Sequence, residues 1–121
     1  MLKPFRVAGL LVAAMLLLPT FGAKDSRPIK IPKKVNAIIQ AKCYGCHSND
    51  GNQRPKDKLN WDVLNGLSAE QQRAKLESIL SVLQEGSMPP ARFLEKNADK
   101  KLTEKETARL KKWATKAARK L

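Results

Sequence analysis

Residues 43–47 read Cys-Tyr-Gly-Cys-His, and no other stretch constrains the architecture of the chain as tightly. Two thiols three positions apart, with an imidazole directly behind the second, match the spacing at which a porphyrin is attached covalently. In that chemistry Cys43 and Cys46 add to the two vinyl groups as thioethers. His47 then lies under the ring as the proximal axial ligand of the iron. These are the only two cysteines and the only histidine among 121 residues, so a site made of thiol or imidazole ligands has to be made here. Two rivals use the same atoms: a thiol–disulfide couple, and a zinc site of two thiolates and an imidazole. The first expects strands alternating with helices around the motif, and the downstream sequence carries no such pattern. The second lacks a fourth cysteine or histidine. The spacing favours haem.

Size and composition agree with that reading. A chain of this length forms one small domain at most, and small domains bury too little apolar surface to be comfortably stable unaided. Aromatic residues make up only 5% of it, so a covalent porphyrin would supply apolar surface that the side chains do not. The net charge of +13 makes the surface cationic without identifying the fold.

The chain opens with Lys3 and Arg6, an apolar run over 7–18, and then Pro19, Thr20, Phe21, Gly22 and Ala23. A basic lead, a short apolar run and small residues at a cleavage point describe a secretory signal peptide over 1–22, with cleavage after Ala23 the alternative. The run is short for a membrane span, which leaves an uncleaved anchor as the weaker reading. The expectation is an exported protein of the bacterial periplasm or a comparable extracytoplasmic compartment. Residues 23–34, basic and punctuated by Pro28 and Pro32, read as a flexible linker, and 35–121 as the folded domain.

Helical spacing organises that domain. From Pro32 onward Val35, Ile38 and Ile39 share a face that leads into Cys43. Residues 48–58 are polar and rich in turn formers, so a loop is expected there, with a backbone carbonyl near Pro55 the candidate acceptor for the imidazole nitrogen not bound to iron. Trp61 follows, able either to donate its indole N–H to a haem propionate or to pack in the core. Ser68 and Gln71 form a capping box that opens a helix with Leu76, Ile79, Leu80 and Leu83 on one face. That helix should stop at Gly86. Met88 comes next, framed by Pro89 and Pro90. Once Met1 and Met15 leave with the signal peptide, it is the one methionine remaining. A thioether in a proline-stiffened loop suits the sixth position of a haem iron, and a gap-filling side chain is the alternative role. Thr103 and Glu106 form a second capping box, and Leu110, Trp113, Ala114 and Ala117 share the face of a final helix. The small alanines suggest a close crossing, with the helix before the motif as the expected partner.

Over residues 35–114 the chain resembles the small haem-binding domain family of bacterial single-haem c-type cytochromes. The resemblance rests on Cys-Tyr-Gly-Cys-His-Ser-Asn at 43–49, Glu-Gly-Ser-Met-Pro-Pro at 85–90, and the stretch from Lys-Leu-Thr-Glu-Lys-Glu to Lys-Trp-Ala at 101–114. It implies an all-α, cytochrome c-like fold with three main helices around one covalently attached haem c. Cys43 and Cys46 would be the thioether positions, His47 and Met88 the axial ligands, and Phe93 an aromatic packed near the distal side. The family tends to carry aromatics around the proline that follows the motif, whereas this chain has Arg54-Pro55-Lys56-Asp57-Lys58. The implied function is one-electron transfer rather than enzyme catalysis. Acidic or membrane-bound redox proteins, or an anionic membrane surface, would be the partners of so basic a protein. Export and the lack of a nucleic-acid-binding motif argue against nucleic acid. The alternative is a haem-based ligand sensor or peroxidase-like domain in which the sixth ligand is labile or absent.

Overall fold

Three amphipathic helices do most of the burying in the computed structural model, which describes residues 27–121. The signal peptide assigned to 1–22 and the first part of the lead lie outside the described residues. In order, the helices are α1 (Lys33–Lys42), α2 (Gln53–Lys58), α3 (Ala69–Glu85), α4 (Ala91–Leu94) and α5 (Glu104–Arg119), with single 3₁₀ turns at Leu64–Gly66 and Ala98–Lys100. There is no strand among the described residues, and the fold is all-α.

Each long helix begins and ends where local chemistry dictates. Pro32 sits at the N-cap of α1, and Val35, Ile38 and Ile39 are the residues that helix buries. The capping box of α3 is complete: the Ser68 hydroxyl accepts from the Gln71 amide, and the Gln71 side chain accepts from the Ser68 amide. Gly86 ends α3 with φ of 65°, a left-handed conformation that glycine adopts without steric cost. Thr103 and Glu106 cap α5 in the same reciprocal way. Acidic Glu104 and Glu106 open α5 while Lys116 and Arg119 close it, in keeping with the helix dipole.

The core lies chiefly between α3 and α5, where Leu76, Ile79 and Leu83 meet Leu110, Trp113 and Ala114. Leu76 is fully buried, and its truncation to alanine should cost about 2–5 kcal/mol. The principal partner of α5 is therefore α3, and not the helix before the motif, which touches it less. Length explains this. The 17 residues of α3 and the 16 of α5 can match apolar stripes over four turns, whereas α1 has 10 residues and its end is given over to the motif.

Two further expectations change. The lead expected to be a flexible linker has no regular secondary structure over 27–32, yet is docked. Ile29 is buried, its amide donates to Asn65 Oδ1 at 2.9 Å, and the Lys30 carbonyl accepts from Trp113 Nε1 at 3.0 Å. Satisfying the buried indole N–H of Trp113 fixes this segment across α5. The loop expected over 48–58 contains α2, whose third residue, Pro55, falls within the first turn of a helix, where a missing N–H costs nothing.

Candidate functional site

The end of α1 becomes the site. Cys43 is the C-cap residue, its amide still bonded to the Ile39 carbonyl at 2.9 Å. The chain then folds back on itself, the Cys43 carbonyl accepting from the amides of Cys46 at 3.3 Å and His47 at 3.1 Å. Gly51 lets this turn close, because a Cβ there would lie 2.2 Å from the Cys46 carbonyl oxygen. Only glycine permits so close an approach of two backbone segments.

His47 is oriented by two carbonyls. Its Nδ1 lies 2.9 Å from the carbonyl oxygen of Pro55 and 2.9 Å from that of Leu59. The first oxygen belongs to α2, where it also accepts from the Leu59 amide at 3.0 Å, and the second to the C-cap residue of that helix. With no acid proton to offer in return, those carbonyls require Nδ1 to carry the hydrogen, so Nε2 keeps its lone pair for a metal. The acceptor expected near Pro55 is present, and Leu59 adds a second. The His47 carbonyl in turn accepts from the Trp61 amide at 3.0 Å, which joins the motif to the segment after α2.

A carboxylate that sequence reasoning passed over ties the same parts together. Asp62 accepts from the Tyr44 hydroxyl at 2.6 Å and from the Asn49 amide at 2.8 Å. These bonds, the amide first, hold the Asp62 carboxyl below the usual carboxylate range. The same contact holds the Tyr44 phenol above its ordinary value. The signal for Asp62 in the sequence is its nearness to Trp61, but only the fold brings Tyr44 and Asn49 to it.

Beyond Gly86, where α3 ends, the chain turns through Met88, Pro89 and Pro90 into α4. A cavity of about 250 Å³ is lined both by the motif and by this loop. Cys43, Cys46, His47, Trp61, Met88 and Phe93 all line it, so the structure brings every sequence-predicted site residue to one place. The remainder of the wall is mainly apolar, with Leu59, Ile79, Val82, Leu83, Leu102 and Leu110. Met88 is 40% exposed along this cavity. Trp61 is half-buried and tilted against Trp113, with ring centroids 6.2 Å apart, and its buried Nε1 has no hydrogen-bond partner.

The rival chemistries fit poorly. The CxxC pair follows a helix instead of opening one, so it meets the negative end of the dipole, which opposes a thiolate. Burial, with Cys46 and then Glu106 adding to it, pushes the Cys43 thiol up to about 11. A thiol–disulfide exchanger needs the reverse. Among the described residues no three of histidine, cysteine, aspartate and glutamate converge to hold a metal ion, which leaves zinc without a coordination sphere.

An apolar cleft lined by two thiols, one oriented imidazole, a thioether and an orphaned indole donor suits a porphyrin. The model of a family described as a haem-binding domain matches residues 52–116, more than half of the chain. The chain belongs to the haem-binding domain family. Its matched part starts after His47 and spans α2 to α5, including the methionine loop. Support for haem from the family match is thus independent of the pentapeptide. No curated protein and no solved structure matches the chain.

Proposed function

We propose that this haem-binding domain is a c-type cytochrome that carries single electrons. In this reading Cys43 and Cys46 hold one haem through thioethers, and His47 Nε2 and the Met88 sulfur take the two axial positions. The observation that carries it is the pairing, across one apolar cavity, of an imidazole whose Nδ1 is held by two carbonyls with the one methionine of the described residues. Bound haem supplies an iron that passes between ferric and ferrous states. The chain's own part is to keep both ligands in place while that happens. Pro55 and Leu59 fix the imidazole ring, Pro89 and Pro90 limit the freedom of the thioether, and the apolar wall excludes water. With both axial sites filled, the chemistry is outer-sphere transfer and no enzyme activity is assigned.

Trp61 Nε1 is assigned to a haem propionate, since a buried indole N–H without an acceptor is costly. Phe93 is assigned to packing beside Met88. The protein is proposed to act outside the cytoplasm after export. Its cationic surface would steer it toward acidic or membrane-bound redox proteins or an anionic membrane surface, an attraction that weakens with salt. The exposed face of α5 contributes Lys105, Lys112, Lys116 and Arg119 to that surface.

The test is co-expression with haem-maturation machinery followed by denaturing electrophoresis and haem staining. The parent should retain stainable haem and Cys43→Ala/Cys46→Ala should not; a parent without haem bands overturns the reading. The alternative, a ligand sensor whose methionine gives way, predicts ready carbon monoxide binding by the reduced parent.

A further inference from the structure

Four lysines reach the wall of the cavity, Lys42, Lys58, Lys75 and Lys100, and among the described residues no carboxylate does. They divide into two pairs with different work. Lys42 and Lys100 stand at the cysteine end. Lys42 Nζ donates to the carbonyls of Asp99 at 2.6 Å and Lys101 at 2.9 Å, and lies 3.9 Å from Glu106. Lys100 Nζ donates to the Ala41 carbonyl at 3.0 Å, closing the end of α1. These two lace α1 to the turn before α5.

Lys75 and Lys58 form the second pair on the wall. Lys75, in the first half of α3, donates to the Lys58 carbonyl at 2.5 Å. That carbonyl lies three residues before Trp61, whose buried Nε1 has no partner. The Lys58 ammonium has neither a hydrogen bond nor an ion pair. One stretch of the cavity wall therefore collects two cations and an orphaned donor, with no acidic group among the described lining residues to answer them.

We propose that Lys75, supported by Lys58 and Trp61, seats the carboxylates of the haem. The proposal rests on the haem reading above and goes beyond it by giving the propionates a charged partner. Vinyl and propionate groups occupy opposite halves of the porphyrin. Thioethers at Cys43 and Cys46 therefore direct the propionates away from Lys42 and Lys100. A carboxylate taken out of water needs a cation and hydrogen bonds, or it takes up a proton. An ammonium has three protons, and the Lys58 carbonyl uses one of those on Lys75. The remaining two are free for a carboxylate. The lysine charge keeps the propionate ionised, and it favours the ferrous iron, which carries one positive charge fewer than the ferric. Lys75 is thus a positioning residue that also tunes the potential.

The experiment measures midpoint potential against pH for the holoprotein and for Lys75→Gln, Lys75→Arg and Lys112→Gln, the last being an exposed site on α5 away from the cavity. Haem content is recorded first. Lys75→Gln should lower the potential and introduce a pH dependence near neutrality, as the propionate pKa rises without its cation. Lys75→Arg should keep the parental profile, and Lys112→Gln should leave the potential almost unchanged. Equal effects of Lys75→Gln and Lys112→Gln would overturn the proposal while leaving the haem reading intact. A parent that takes up no haem would overturn the haem reading itself. Infrared difference spectra of the parent give a check that needs no variant. No carbonyl stretch from a protonated propionate should appear at neutral pH, and a strong one would contradict the assignment.

Discussion

The two sides of the cavity are made in different ways. On the motif side, a close backbone contact at Gly51, two carbonyls on His47 and the Asp62 bonds to Tyr44 and Asn49 fix every part to another. On the methionine side the chain is stiffened by two prolines and by the Ser87 amide bonded to the Val82 carbonyl at 3.1 Å, and among the described residues no hydrogen bond between side chains ties the loop down. Of the two proposed ligands, His47 is oriented by hydrogen bonds and Met88 is held only through its loop. This difference suits the proposed c-type site. There, thioether formation and the proximal bond would need a fixed template, whereas a soft sixth ligand could close over a ring already in place.

Haem content measures the contrast directly, and four variants should rank by side. His47→Ala should have the largest effect, with staining reduced to a small fraction of the parent, because the template then loses the ligand that Pro55 and Leu59 orient. Gly51→Ala comes next. Its new Cβ would meet the Cys46 carbonyl oxygen at 2.2 Å, so the turn must shift, at about 1–3 kcal/mol and with partial loss of haem. Thermal unfolding of the holoprotein and quantitative staining would show both.

Asp62→Asn should act less strongly and mainly through pH. A carboxyl held below its usual range contributes stability that is present above the ordinary carboxylate pKa. That stability is lost as the pH falls through the lowered value in the folded state. The parent should therefore lose stability on acidification more steeply than Asp62→Asn, seen as converging melting temperatures below the carboxylate range. Parallel melting curves at all pH values would mean that the Asp62 bonds do not contribute. Met88→Ala should have the least effect on haem content, which should equal that of the parent. Haem loss in Met88→Ala as severe as in His47→Ala would erase the contrast between the two sides.

Features set by neighbours in the chain were legible in the sequence. The pentapeptide, the reciprocal caps at Ser68 and Thr103, the stop at Gly86 and the apolar faces of α1, α3 and α5 all depend on spacings of a few residues. The carbonyl near Pro55 was legible for a related reason, since His47 and Pro55 are separated by a single turn-rich stretch. What remained hidden depends on distant parts meeting. Ile29 looks like one apolar residue in a basic, proline-punctuated lead until Asn65 and Trp113 supply its partners. The six residues of α2 carry no apolar stripe, because the helix buries none of them and works through its carbonyls. The pairing of α5 with α3 follows from matched lengths, which the small alanines of α5 do not report. Lys75 and Asp62 are single charged residues in a chain full of charge, and only their partners set them apart.

The central claim is that His47 and Met88 hold one iron from opposite sides of the cavity. The visible and near-infrared absorption spectrum of the oxidised holoprotein tests it most directly. The parent should show the sulfur-to-iron charge-transfer band of a methionine-ligated ferric haem, and Met88→Ala should lose that band while keeping its haem. A parent spectrum without the band, unchanged by Met88→Ala, would contradict the claim.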